Sequence, residues 1–236
     1  MPETIHRRKL YQEVHDKLME RIRSGEILPG AQLPSERELM EFYGVGRPAI
    51  REALQTLERS GIVEILHGER ARVVIPTANN LIGQMAGGAM HLLRTQPGML
   101  DHLKSARLFL ETGMARMAAE NASDAQIATL RSRVTQQRLA SAGNLDRFLD
   151  CDMAFHREIA IISGNPIYPA IVESIFRWAS EYYRPLVRAP GVEQLTLAEH
   201  ERIVDAIAAH DGDAASEAMR LHLGRANSLY LTMKDE

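Results

Sequence analysis

The sequence predicts a mostly α-helical protein: a winged helix-turn-helix at the N-terminus followed by an antiparallel all-helical bundle. Three observations predict this. Residues 7–61 carry three helix patterns punctuated by glycines. Two β-prone runs, 62–66 and 72–75, come directly after the third helix. Beyond residue 80 the chain reads as long helices with short connections.

In the first pattern Leu10, Val14, Leu18 and Ile22 recur at spacing four, one face of a helix that Gly25 ends. A turn follows at 27–30. Ser35 then has the position of an N-cap, and Glu38 three residues later completes a capping box, in which each residue's side chain satisfies an orphan N–H of the other. Residues 44–46 break this helix. The third starts at Arg47-Pro48, where proline costs no intrahelical bond. Ile50, Ala53, Leu54 and Leu57 make its buried stripe, Arg47 and Arg51 flank that stripe with Gln55 further round, and Gly61 stops the helix. The two β-prone runs around 67–71 make a hairpin wing, and 76–80 reads as a linker.

Helices are expected at 80–95, 98–121, 124–141, 144–163, 167–184, 195–210 and 212–232. Gly, Pro, Ser and Asn breakers separate most of them. The predicted organisation is a DNA-binding head at 1–76, a linker and first bundle helix at 77–97, and a helical effector- and metal-binding domain at 98–236.

Composition limits the function classes. No apolar run is long enough to span a bilayer and no signal-peptide core stands at the N-terminus, so a cytoplasmic protein without membrane partners is expected. The single cysteine, Cys151, excludes an intramolecular disulfide framework. The net charge of −3 does not advertise a nucleic-acid binder, and residues 1–76 hold 12 basic and 12 acidic residues. A DNA-binding head would therefore need its charges sorted by face, with carboxylates turned away from phosphate.

On the DNA reading, the third helix enters the major groove and Arg47 and Arg51 meet guanine edges or phosphate. Arg37 and Ser35 rest on the phosphate backbone. Gly68 lets the wing approach the sugar-phosphate closely, and Arg70 or Arg72 reaches the adjacent minor groove. The competing reading is a three-helix surface with solvated arginines, used for protein contacts.

The stretches 33–39 (Leu-Pro-Ser-Glu-Arg-Glu-Leu) and 46–54 (Gly-Arg-Pro-Ala-Ile-Arg-Glu-Ala-Leu) resemble the signature of the GntR family of bacterial transcription regulators. The resemblance covers residues 10–76. It implies Arg37, Arg47, Arg51 and Gly68 as DNA contacts, and a homodimer that sets two recognition helices on a palindromic operator. Gly46 stands where the family usually carries Ser or Thr, and the wing tip is less glycine-rich than usual. Motifs at 32–40, 45–48 and 68–73 also resemble family members that repress sialic-acid catabolism.

In the second half, Asp152 and His156 lie four apart on one helix and leave the same face. His200 interrupts the stripe Leu197, Val204, Ile207, and His222 lies beside the stripe Ala218, Leu221, Arg225, Leu229. Polar rings on apolar faces need partners. A shared divalent cation would supply one: zinc foremost, with nickel, manganese or iron also suited to imidazole and carboxylate. The alternative is three separately satisfied histidines. Such an ion would keep open positions, so a metal-dependent enzyme acting on sugar acids or hydroxy acids is a second functional reading, although no general base accompanies the ligands.

Residues 98–232 are similar to the FCD domain, the all-helical effector domain of the FadR-type branch of that family. The matching motifs are Asp152-x-x-x-His156, the turn at 163–166, and the segments around His200 and His222. The resemblance implies Asp152, His156, His200 and His222 as metal ligands, no catalytic residues, and a ligand-responsive repressor of a catabolic operon. It further implies that Arg107, in the pattern Arg-x-x-Leu-Glu, faces an effector cavity, with Asn165 lining it. A guanidinium grips a carboxylate bidentately, so the effector is expected to be a small carboxylate or a sugar acid, sialic acid among them. The plain alternative for Arg107 is a surface pair with Glu111, four residues on.

Overall fold

The computed structural model describes residues 8–66, 69–141, 145–183 and 192–232, with side chains except at 180–183, 192 and 226–232. It divides into two compact units between Gln84 and Met85.

The first unit contains α1 (Leu10–Arg23), α2 (Glu36–Tyr43), α3 (Arg47–Arg59), β1 (Val63–Glu64), β2 (Arg72–Val73) and α4 (Ala78–Gly83). Val14 and Leu18 of the α1 stripe are buried, whereas Leu10 in the first turn is exposed. The Ser35–Glu38 capping box forms as expected at the start of α2. Gly44, with φ 64°, ends α2 in the left-handed conformation that glycine adopts without a Cβ clash. All four residues of the α3 stripe, Ile50, Ala53, Leu54 and Leu57, are buried. Gly46 caps α3 without a side-chain hydrogen bond, as its missing hydroxyl requires.

The wing is smaller and better anchored than the sequence predicts. Among the described residues only Val63↔Val73 and Glu64↔Arg72 pair in the β1–β2 ladder. The far edge of β2 is covered by the turn that follows α1: Leu33 N–H donates to Ala71 O at 2.7 Å, and Gly30 N–H and Val73 N–H donate to Val73 O and Ala31 O at 2.8 Å each. Residues 30–33 thus act as a third short strand. The signal was hidden because they carry Gly and Ala rather than β-branched residues.

The second unit is all helix among its described residues: α5 (Ala86–Thr95), α6 (Met99–Asn121), α7 (Asp124–Ala140), α8 (Leu145–Ile162), α9 (Tyr168–Tyr183), α10 (Val192–Ala208) and α11 (Gly212–Thr232). The single helix expected at 80–95 is two, α4 and α5. Thr77, read as linker, caps α4 through Asn80 N–H, and Gly83, Gly87 and Gly88 weaken helix continuity around the break. α6 packs along α11 and also meets α8 and α10; α7 meets α8 and α10. The small buried residues Ala115, Ala118 and Ala119 of α6 let α11 approach through Ala215 and Met219. Leu130, Phe155, Ile159, Leu197, Ile203 and Ile207 fill the middle of this core. Burying each such side chain stabilises the fold by about 1.5–3 kcal/mol before the entropy of ordering it is subtracted. No helix among the described residues is long and apolar enough to cross a membrane.

Candidate metal centre and nucleic-acid interface

Three helices turn histidines into the core of the second unit: His156 from α8, His200 from α10 and His222 from α11. His200 has no solvent exposure (0%). The Nε2 atom of His222 lies 3.3 Å from Nε2 of His156 and 3.3 Å from Nε2 of His200. Asp152, one turn before His156, borders the same point, with Oδ1 3.5 Å from His200 Nε2 and Oδ2 3.9 Å from His156 Nε2. The expected stripe on α11 is displaced. Ala215, Met219, His222 and Leu223 face inward, whereas Leu221 is exposed. His222 is therefore on the core face rather than beside it.

Each ring is oriented from behind. His156 Nδ1 meets Glu111 Oε2, His200 Nδ1 lies 2.7 Å from Gln137 Oε1, and His222 Nδ1 lies 2.8 Å from Glu199 Oε2. All three partners are acceptors, so each Nδ1 is the donor, and a ring with one proton carries it there. In that tautomer the three Nε2 lone pairs face one another with no hydrogen between them. That arrangement is repulsive unless a cation sits among them. Two nitrogens held about 2.0 Å from one tetrahedral ion are themselves about 3.3 Å apart, so the donor set fits a divalent metal. Among the described residues these histidines form a group whose ligand atoms all lie within 4.8 Å of one another.

The surroundings favour the neutral form of His200 and His222 and the charged form of the outer carboxylates. Burial, reinforced by repulsion from His222 and His156, pushes His200 well below the ordinary histidine range. Burial also lowers His222, against the opposing effect of its hydrogen bond to Glu199. Burial alone would raise Glu111, but the charges and hydrogen bonds of Arg107 and His156 overcome it and hold the carboxyl at about 2. Glu199 is likewise held low by His222 and Arg225 against its burial. Arg225 grips Glu199 through two nitrogens, at 2.6 Å each.

Arg107 does pair with Glu111, Nε to Oε1 at 2.6 Å, but inside the bundle rather than on the surface. Its guanidinium lies 4.1 Å from the centre of the Phe176 ring. It is thus one ion pair away from His156. Asn165 is half-buried, and its Oδ1 accepts from Ile167 N–H at 3.0 Å, closing the turn before α9.

In the first unit four of the predicted DNA contacts, Arg37, Arg47, Arg51 and Arg70, lie on exposed surface. Arg37 is 82% exposed, with Glu41 3.7 Å away. Arg47 and Arg51 project from the first turns of α3, while Ser35 caps α2 and donates through Oγ to Glu38 at 2.7 Å. Arg70 is exposed and 3.7 Å from Glu38. Arg72, by contrast, donates to Gly30 O at 2.7 Å and braces the small sheet. Gly68 lies outside the described residues. The charges are not sorted as the sequence reading requires. Glu36 sits between the two α3 arginines, 2.9 Å from Arg51 Nε and 3.6 Å from Arg47 Nε. Its place at the first position of α2, facing the start of α3, puts a carboxylate within the basic face rather than behind it.

The structure brings the four residues proposed as ligands together; sequence reasoning did not assign Glu111, Gln137, Glu199 or Arg225 a place behind the rings. Gln137 had a legible signal, because it follows Leu130 and Val134 on one apolar stripe. Glu199 had none beyond adjacency to His200.

Comparison with known proteins bears on both units. A model of the FCD domain matches residues 102–225, and a model of bacterial regulatory proteins of the gntR family matches residues 10–73. The HTH-type transcriptional repressor NanR of Enterobacter sp. (strain 638) is 41% identical over 234 residues, covering 96% of this chain and 87% of that protein. The protein of that name from Escherichia coli K12 is 41% identical over 229 residues, covering 96% and 86%. Among solved structures, Streptococcus agalactiae GntR aligns with a TM-score of 0.63 at 27% identity, over 90% of this chain and 96% of that one. E. coli McbR/YncC aligns with a TM-score of 0.53 at 18% identity, over 96% and 99%, a likeness of fold alone.

Proposed function

This chain belongs to the GntR family of bacterial regulatory proteins and carries an FCD domain, and on that footing we propose that its buried histidine cluster is a metal-assisted effector site controlling its grip on DNA. The family is one of transcription regulators, so the metal-dependent enzyme reading falls away.

The observation that carries the proposal is the convergence of three histidine Nε2 atoms beside Asp152. His156, His200, His222 and Asp152 would hold the ion, zinc foremost. When bound, a divalent ion supplies an electrophilic centre that binds anionic oxygen. The remaining steps belong to the chain itself. Glu111 and Glu199 orient two rings, and Arg107 and Arg225 keep those carboxylates ionised. Arg107 also offers a guanidinium to an incoming carboxylate, with Asn165 in the turn that begins α9. The effector class is a small carboxylate or sugar acid. Sialic acid is the first candidate, because the motifs at 32–40, 45–48 and 68–73 resemble repressors of sialic-acid catabolism, and the relatives at 41% identity are named NanR repressors.

The reader is a homodimer that sets α3 of each copy in the major groove of a palindromic operator, in the bacterial cytoplasm. Arg47 and Arg51 touch base edges or phosphate, Ser35 and Arg37 the backbone, and Gly68 and Arg70 the wing-side groove. Effector binding releases the operator only if the effector prefers the arrangement of heads that DNA disfavours. The test is a gel shift with the DNA upstream of the regulated genes, with and without N-acetylneuraminate and simpler sugar acids. A fall in operator affinity of about 5–150-fold is expected with the true effector. Operator binding unchanged by every sugar acid and short carboxylate would remove the effector half of the reading.

A further inference from the structure

We propose that Gln137 is a positioning residue of the metal centre: one amide that orients two ligands carried by two other helices. The inference rests on the metal reading above. Gln137 lies on α7, which supplies none of the four proposed ligands, and its side chain is fully buried at 0% exposure. Its Nε2 donates to Asp152 Oδ1 at 2.8 Å, and its Oε1 lies 2.7 Å from His200 Nδ1.

The orientation of the amide follows from its neighbours. Asp152 Oδ1 accepts from the NH2, which therefore faces Asp152. The carbonyl oxygen is then left for His200 and requires an N–H there. His200 therefore presents a bare Nε2 to the ion position. The same amide occupies one lone pair of Asp152 Oδ1 and fixes the carboxylate's rotation, so α8 and α10 are set relative to each other at their ligand atoms.

No other residue type does both tasks without cost. Methionine or leucine would strand a buried ring N–H and a carboxylate lone pair. Glutamate would serve His200 but place a like charge against Asp152. The other two histidines are held differently, by carboxylates that are themselves gripped by arginines. A neutral amide at the third position avoids adding another buried anion next to Asp152. Packing gives no reason for an amide here, since the stripe it continues is otherwise Leu130 and Val134.

The test uses the full chain. Zinc affinity is measured by competition with a chromophoric chelator, and ligand geometry by the visible absorption of the cobalt-substituted protein. Gln137→Met keeps volume and removes both hydrogen bonds. It is expected to lose about 10–100-fold in zinc affinity and to alter the cobalt bands. Gln137→Glu keeps the acceptor for His200 and loses the donor to Asp152. It serves as the second probe should the methionine variant not fold, and is expected to shift the cobalt bands as well. Variants that fold and match the parent in both affinity and cobalt spectrum overturn the role of Gln137 while leaving the metal reading intact. A parent protein that takes up neither zinc nor cobalt overturns the metal reading, and this inference with it.

Discussion

The two units of this protein handle opposite charges in opposite ways. In the first, Arg37, Arg47, Arg51 and Arg70 are exposed and lie near carboxylates at 2.9–3.7 Å. In the second, Arg107 and Arg225 hold buried carboxylates at 2.6 Å, and those carboxylates hold histidines. Exposed pairs are worth about 0–1 kcal/mol and exchange readily with other anions. Breaking a buried pair by removing one partner costs about 3–5 kcal/mol, because the survivor is left charged in a poor solvent. The first arrangement suits a surface that must swap its partners for phosphate. The second suits a site whose geometry must not change until a ligand changes it.

This contrast is sharpest for variants that remove one partner. The largest effect is expected in the bundle. Glu199→Ala leaves Arg225 and His222 without their shared partner, and should cost several kcal/mol in folding free energy, about 3–5 by the buried-pair rule, read by urea denaturation. Loss of only a few tenths would mean that the Arg225–Glu199 pair is solvated in solution.

Next comes Arg51→Ala in the head. Operator affinity should fall by about 1–3 kcal/mol, with metal content and dimerisation unchanged. Full affinity retained in a gel shift would take α3 out of the DNA interface.

Acid should separate the regions further. His200 and His222 are held below their ordinary range, so the folded state binds fewer protons there than the unfolded chain. Their contribution is complete above the unfolded histidine value of about 6.5 and declines as pH falls below it. Glu111, held at about 2, adds a second loss as pH drops from about 4.5 toward 2. Melting curves of metal-free protein should therefore lose stability progressively below neutrality. A melting temperature that stays flat down to pH 4 would contradict a buried neutral cluster.

The smallest expected effect is Glu36→Gln. It should change folding stability by less than about 1 kcal/mol while raising affinity for random-sequence duplex, because a carboxylate leaves the basic face. Unchanged non-specific binding at low salt would mean that Glu36 does not moderate the arginines beside it.

Local physics made most of the first unit legible. The capping box at Ser35 and Glu38, the stripe on α3 and the glycine that ends α2 are all short-range patterns, and all appear as read. Residues 30–33 were not legible as a strand, since their pairing with β2 depends on chain returning some forty residues later. The bundle's histidines were visible because polar rings on apolar stripes are conspicuous at helical spacing. His222 was put beside its stripe because Leu221, an apolar residue, faces solvent in the fold. Of the supports behind the rings, only Gln137 left a signal, a polar residue on the Leu130, Val134 stripe; Glu111 and Glu199 look like ordinary helix residues until the helices bring them to the Nδ1 side of the rings. The placement of Glu36 within the basic face was not legible for a related reason, since charge sorting depends on how α2 faces α3, which spacing alone does not encode.

The central claim, that three histidines and an aspartate gather one divalent cation, is tested most directly by elemental analysis of zinc-reconstituted, desalted protein beside the His200→Ala variant. About one ion per chain is expected in the parent, with a loss to near background in the variant. A parent that retains no metal, or a variant that retains as much as the parent, would contradict it.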